Sequence, residues 1–352
     1  MFLEKVHVIK TPYRILIGKG AYKFIPQILE ELASASSLLV CGPTTYEIAG
    51  KEIEKILKKE GIRVDHIIVE RASFENVKSV VKKAKAERFN VLLGIGGGKN
   101  IDVAKTSSHY LKIPYLSIPT APSHDGIASP CSSILKKNKK YSLFLEPPSS
   151  IIVEMEIMKK SPLRFFSAGA GDVIAKYTAV TDWEIARERK GEYYGEYAAN
   201  LARLAAEVML KKASYYKKDY ENAVRLLIEA LISCGYAMCI AGSSRPCSGS
   251  EHLFAHAIDF FYPENKALHG EKVALGCLIS SYLQEKDFEL VRKTLTTLKL
   301  PRNYKEIKIP KEILIKSLAK ARKMRKRYTV LDELKIKSKK QAEKILKKLE
   351  II

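Results

Sequence analysis

The chain has 352 residues, 46% hydrophobic and 28% charged, with a formal net charge of +22. This length exceeds the size at which a single core stops growing, so two domains are expected, each with enough apolar material for its own core. No apolar run reads as a membrane span, Met1 to Lys10 has no signal-peptide core, and the six cysteines (Cys41, Cys131, Cys234, Cys239, Cys247, Cys277) form no Cys-x-x-Cys. A cytoplasmic protein with reduced, mostly buried thiols is therefore expected. The basic excess suits an anionic ligand such as a dinucleotide, a phosphorylated substrate or nucleic acid. It is spread along the whole chain, is densest from Lys316 to Lys348 and accompanies no nucleic-acid motif. A solvated, lysine-rich surface accounts for it better.

In chain order, His7 to Ile17 reads as two short strands around Thr11-Pro12, and Ala21 to Ala33 as a helix. Leu38 to Cys41 is a buried strand ending in Gly42-Pro43, and Tyr46 to Lys59 an amphipathic helix closed by Gly61. Arg63 to Val69 (strand), Phe74 to Glu87 (helix) and Asn90 to Ile95 (strand) continue the alternation, which predicts a parallel sheet covered by helices. Leu93 to Lys105 then runs from a strand through Gly96-Gly97-Gly98 into a helix. Glycines let backbone approach a pyrophosphate, and the helix start offers free N–H groups. The spacing is neither the Rossmann Gly-x-Gly-x-x-Gly nor the Walker motif. Asp102, in the first turns of that helix, suits a loop-orienting or capping role.

Pro114 to Ile118 is a further strand, followed by the loop Pro119 to Gly126, at a strand's carboxyl end where open α/β sheets bind ligands. Thr120 and Ser123 suit hydrogen bonds to a nicotinamide and Asp125 a substrate hydroxyl, although turn chemistry uses the same residues. Ser132 to Leu135 and Tyr141 to Leu145 read as a hairpin around Lys136 to Lys140, and Ile151 to Val153 closes the sheet. Pro147-Pro148 and Ser161-Pro162 bracket the expected boundary, giving domains 1–158 and 159–352. Beyond it the pattern is helical: Ile174 to Arg189, Tyr194 to Tyr216, Glu221 to Ile240, Glu251 to Phe261 and His269 to Glu285. Two or three lysine-rich helices follow in Lys311 to Leu349, with a tail expected to fray.

The stretch Ser248 to Val273 holds three of the seven histidines. His252 and His256, four apart, share a helix face, and His269 opens the next apolar run. Two such imidazoles plus one carboxylate, for which Asp172 is the candidate, make a ligand set that suits Zn²⁺ with an open fourth position. Spacing alone leaves open that the pair is merely structural. Lys176, one turn past Asp172, either faces the site or supports that carboxylate. Arg245 suits a substrate phosphate or a structural ion pair equally, and His124 reads as loop structure.

In order, G-G-G-K-N-I-D, P-T-A-P-S-H-D-G, G-D-V-I-A-K, S-G-S-E-H-L-F-A-H-A and H-G-E-K-V-A resemble the superfamily of glycerol dehydrogenases, iron-containing alcohol dehydrogenases and dehydroquinate synthases. S-R-P-C-S-G-S-E-H (Ser244 to His252) and A-K-Y-T-A-V-T-D-W (Ala175 to Trp183) are similar to the archaeal sn-glycerol-1-phosphate dehydrogenases within it. The resemblance covers nearly the whole chain. It implies an α/β N-terminal domain with a Rossmann-like parallel sheet and an all-α C-terminal domain, in the dehydroquinate synthase-like arrangement. It implies a cofactor loop of Gly96, Gly97, Gly98, Lys99, Asn100, Ile101 and Asp102, with Thr120, Ala121, Pro122, Ser123 and Ser129 about the nicotinamide and its ribose. It also implies Zn²⁺ on Asp172, His252 and His269, two histidines and one carboxylate favouring zinc over iron, with Asp125 and His256 at the substrate or in a proton relay.

The implied reaction is reduction of dihydroxyacetone phosphate to sn-glycerol 1-phosphate with NAD(H) or NADP(H), for ether-lipid backbones. The chain following Leu38 to Cys41 has no acidic residue to repel a 2′-phosphate, which agrees with dual cofactor use. Glycerol dehydrogenase and a dehydroquinate synthase-type lyase are the alternatives on the same fold. A homo-oligomer is compatible with the resemblance; no nucleic-acid partner is expected.

Overall fold

A computed structural model describes residues 6–137 and 139–352 and divides into two compact units, Met1–Pro162 and Leu163–Ile352. The first unit is built on a six-stranded, all-parallel sheet in the order β1-β8-β5-β4-β2-β3. Its strands are β1 (Arg14–Gly18), β2 (Ser36–Cys41), β3 (Arg63–Ile68), β4 (Val91–Gly96), β5 (Tyr115–Pro119) and β8 (Ser150–Glu154). The helices between them are α1 (Ile25–Glu31), α2 (Lys51–Lys59), α3 (Phe74–Ala86) and α4 (Gly98–Leu111). β2, β4, β5 and β8 are buried at every residue, as the largely apolar strands of a sheet covered on both faces should be. On one face Leu39, Leu93, Ile95, Leu116 and Ile152 pack with Tyr22, Ile25, Leu29, Ile53 and Leu57. Each such side chain stabilises the unit by about 1.5–3 kcal/mol.

The expected hairpin is β6 (Cys131–Lys136) against β7 (Lys139–Phe144), a separate antiparallel pair. Asn138, within the expected Lys136 to Lys140 connection, lies outside the described residues, as do residues 1–5 of the stretch read for a signal peptide. β8 does not close the sheet at an edge. It inserts between β1 and β5. Only one strand forms where two were expected between His7 and Ile17. Val6, Val8 and Ile9 are exposed, and Pro12 offers no N–H to a ladder.

The second unit is helical: α5 (Leu163–Ile174), α6 (Lys176–Lys190), α7 (Glu196–Lys211), α8 (Tyr220–Ala241), α9 (Ser250–Phe261), α10 (His269–Leu283), α11 (Phe288–Thr297), α12 (Lys311–Lys320) and α13 (Lys339–Lys348), with short turns between. One helix among the described residues bears on the expectation of no membrane span. α8, 22 residues long, is long and apolar enough to cross a membrane. Most of it is buried within the unit, against α7 and α5, so a core helix explains its composition. It is capped at one end by Asp219, whose Oδ1 accepts from the Asn222 N–H at 3.1 Å, and stopped at the other by left-handed Gly242. The tail does not fray. Leu349 and Ile351 are buried, and the Ile351 carbonyl accepts from the Tyr304 N–H at 2.9 Å.

The expected helix Ile174 to Arg189 is α6, and a further helix, α5, precedes it where none was expected. Ala168-Gly169-Ala170-Gly171 reads as poor helix, yet all four lie inside α5. The reason is close packing against α10. A Cβ at Gly270 would sit 1.8 Å from the Ala168 carbonyl oxygen, and one at Gly171 would sit 2.7 Å from that of Gly270. Absent side chains let the two helices touch backbone to backbone, which fixes the spacing between Asp172 and His269.

Candidate active site

In the α/β unit, β4 ends at Gly96, whose φ of +137° only glycine adopts without strain. The space beside it is filled: a Cβ there would lie 2.5 Å from Asn100 Oδ1. Asn100 is buried, and its Nδ2 donates to the Val69 carbonyl at 3.4 Å. Thr45 Oγ1 accepts from the Gly42 N–H (2.9 Å) and donates to the Ile95 carbonyl (3.0 Å), joining the turn after β2 to that after β4. Gly97, by contrast, has nothing within 4 Å of where a Cβ would be, and α4 begins there with no side chain capping it. An uncapped helix start in open space can take an anion. Lys99 is exposed, its Nζ 3.3 Å from the Glu70 carbonyl. Ile101 is wholly buried, so only its backbone can face a ligand.

Asp102 is tied into the protein. Its Oδ2 accepts from the Ser133 N–H at 2.9 Å and its Oδ1 lies 3.6 Å from Lys105 Nζ, while burial pushes its carboxyl above the usual range. The fully buried Lys105 ammonium also donates to the carbonyls of Gly126 (3.1 Å) and Cys131 (2.5 Å). Together they hold the loop after β5 against α4. In that loop the Thr120 N–H donates to the Gly96 carbonyl at 3.2 Å, Ala121 and Pro122 are buried, and Ser123 is half-buried. The Asp125 carbonyl accepts from Ala128 and Ser129, both at 3.0 Å. Ser129 Oγ is buried with no partner among the described residues, which a ligand hydroxyl or amide would satisfy. His124 Nδ1 accepts from the Gly126 N–H at 2.9 Å, a contact within the loop.

In the helical unit, Asp172 on α5, His252 on α9 and His269 at the start of α10 bring ligand atoms within 4.8 Å of one another. His252 Nε2 lies 3.7 Å from Asp172 Oδ1, and the His252 and His269 rings are 5.1 Å apart. The set fits a metal ion, because the imidazole next to the carboxylate is already oriented. His252 Nδ1 is 2.8 Å from Glu251 Oε1, so the tautomer that donates there leaves Nε2 unprotonated beside Asp172. Lys176 is fully buried, with Nζ 2.6 Å from Asp172 Oδ1. His256 follows one turn along α9, half-buried, its ring 6.4 Å from that of His252.

Sequence reasoning missed the frame around these ligands. Glu251 is fully buried and accepts from the Gly249 N–H (2.5 Å) and Thr178 Oγ1 (3.0 Å); burial raises its pKa. Asp182 accepts from the N–H groups of Ser250 (2.5 Å) and Val330 (2.8 Å), and burial beside the Glu251 charge pushes its carboxyl up to about 6. Both acids stand inside stretches that carry the resemblance, Glu251 in S-R-P-C-S-G-S-E-H and Asp182 in A-K-Y-T-A-V-T-D-W, but nothing local names their partners. Arg245 is an ion-pairing residue: its guanidinium forks onto Glu192 (Nε to Oε1 2.5 Å) and donates to the Tyr328 carbonyl at 3.1 Å. The substrate-phosphate role considered for it is not supported by these contacts.

A profile of the family described as "Iron-containing alcohol dehydrogenase" matches residues 16–162. A glycerol-1-phosphate dehydrogenase [NAD(P)+] of Hyperthermus butylicus is 43% identical over 332 residues, 93% of this chain and 94% of the relative. One of Sulfurisphaera tokodaii is 42% identical over 99% of both chains. Among solved structures, the glycerol dehydrogenase from Schizosaccharomyces pombe superposes with a TM-score of 0.80 at 20% identity, covering 98% of this chain and 92% of that one. That likeness fixes the fold alone.

Proposed function

Since the chain belongs to the glycerol-1-phosphate dehydrogenase family, we propose that it reduces dihydroxyacetone phosphate to sn-glycerol 1-phosphate with NADH or NADPH. The observation that carries this reading is the Asp172–His252–His269 set that α5, α9 and α10 bring together. Asp172, His252 and His269 would hold zinc, the ion that two imidazoles and a carboxylate suit. When bound, the ion supplies Lewis-acid polarisation of the C2 carbonyl and the reduced nicotinamide supplies the hydride.

The chain's own residues do the rest. Glu251 fixes the His252 tautomer and Lys176 holds the Asp172 carboxylate, so the ligands need no rearrangement. The start of α4 at Gly97 and Gly98 receives the cofactor pyrophosphate, and the Ser129 hydroxyl takes a polar group of the nicotinamide ribose. No carboxylate stands in Gly42 to Thr45 after β2 to repel a 2′-phosphate, which supports use of both cofactors. His256 and Asp125 are the groups assigned to the proton that the C2 oxygen takes up. We assign the reaction to the cytoplasm, where its product would supply ether-lipid backbones.

The test is NADPH oxidation with dihydroxyacetone phosphate, before and after chelation and with zinc restored. Turnover that needs the phosphate, disappears with chelator and returns with zinc is expected. Turnover of glycerol or dihydroxyacetone alone would instead favour a glycerol dehydrogenase.

A further inference from the structure

The loop after β5 carries Asp125 and Ser129, and it also holds an imidazole to which the reaction proposed above gives no task. The His124 ring stands between two glycines. A Cβ at Gly98 would lie 2.5 Å from its Nε2, and one at Gly126 would lie 2.5 Å from both its Nδ1 and its Cε1. Gly98 is the first residue of α4, so the ring fills the gap between that helix start and its own loop. A side chain at either glycine would push it out.

Gly126 is gripped at both ends of its backbone. Its N–H donates to His124 Nδ1 at 2.9 Å, and its carbonyl accepts from the buried Lys105 ammonium of α4 at 3.1 Å. The same Nδ1 contact caps the single 3-10 turn Asp125–Ile127, and the Asp125 carbonyl at the head of that turn accepts from the Ala128 and Ser129 N–H groups. The place of this turn therefore sets the backbone from which both side chains project.

Stability does not explain the imidazole. With Nδ1 accepting, the neutral ring carries its proton on Nε2, which is buried with no partner among the described residues. A buried donor left in that state costs about 1–3 kcal/mol. An asparagine oxygen would accept from the Gly126 N–H in such a turn without that cost. What the imidazole adds is a flat, stiff body that reaches the Gly98 backbone.

We propose that His124 is a positioning residue, its ring the spacer that seats the turn Asp125–Ile127, and with it Asp125 and Ser129, at a fixed distance from the start of α4. This rests on the reaction proposed above, which places Asp125 at the substrate. A displacement of about 1 Å at a reacting group can cost about a hundredfold in rate.

The experiment uses the zinc-loaded full chain and His124→Asn, which keeps the acceptor for Gly126 and removes the ring. Its Tm should equal or exceed that of wild type and its zinc per chain should be unchanged, while kcat with dihydroxyacetone phosphate falls about tenfold or more. Because His124 acts through Asp125, the double variant His124→Asn/Asp125→Asn should be slower than Asp125→Asn alone by no more than about twofold. An unchanged kcat in His124→Asn, or losses that multiply in the double variant, overturns the proposal. If His124→Asn fails to fold, Gly126→Ala displaces the ring from the other side with His124 kept, and the same loss of kcat is expected. Hydrogen exchange across residues 119–131 reads the seating with no substrate present. Faster exchange there in His124→Asn, in a protein whose wild type does not reduce dihydroxyacetone phosphate, leaves the spacer standing while the reaction falls. Exchange equal to wild type removes the spacer whatever the enzyme reduces.

Discussion

Both units place glycines at their candidate chemistry, and they use them in opposite ways. At Gly97 the missing side chain leaves open space at the start of α4, where a ligand can approach backbone N–H groups. At Gly171 and Gly270 the missing side chains leave no space, because the backbones of α5 and α10 occupy it. One unit keeps a ligand surface open by omission. The other sets the distance between two metal ligands by it. The first arrangement tolerates substitution in the fold and is sensitive in binding; the second is sensitive in both.

The largest effect should follow Gly270→Ala, whose Cβ would meet the Ala168 carbonyl oxygen at 1.8 Å. With backbone on both sides there is no flexible side chain to yield. A loss of about 3 kcal/mol or more and a Tm lower by roughly 10 °C are expected, with zinc per chain falling alongside. Calorimetry and metal analysis measure these. Gly97→Ala is the contrasting variant: an unaltered Tm with a raised KM for NADPH would uphold the comparison, and equal destabilisation of both variants would break it.

A smaller effect is expected from Glu251→Gln, which keeps the shape and removes the charge that His252 Nδ1 faces. Zinc affinity, measured by competition with a chelator, should drop about tenfold with the fold intact. Unchanged affinity would make Glu251 a packing residue only.

The smallest is a pH effect in the α/β unit. Burial raises the folded pKa of Asp102 above its unfolded value. Its contribution to stability is therefore complete below the unfolded pKa, about 3.9, and is lost as pH rises through the folded value. Asp102→Asn retains an oxygen for the Ser133 N–H and does not ionise. The variant should gain stability relative to wild type as the pH rises above that unfolded value, in guanidinium unfolding. A pH-independent difference would contradict the assignment.

Most of the α/β unit was legible because its central strands contain short apolar runs such as Leu38 to Cys41 and its helices have clear periodicity; β2, β4 and β5 lie within a residue or two of where the pattern put them. The order of β8 was not legible, since nothing local in Ser150–Glu154 names its neighbours. Asp172, His252 and His269 were identifiable from residue type and order, and the structure brings them together. Their supports were not. Glu251 and Asp182 act through contacts 68 to 148 residues away or through burial, which no spacing rule records. Helix α5 was missed because propensity counts glycine as a cost, while here glycine is what lets α10 come close.

The central claim is a single metal ion on Asp172, His252 and His269, and the most direct measurement is anomalous diffraction at the zinc edge from crystals of the zinc-loaded protein. One strong peak among these three side chains, absent from a His269→Ala crystal, is the predicted result. A zinc-free cluster, or a peak bound elsewhere while the protein still reduces dihydroxyacetone phosphate, would contradict the account.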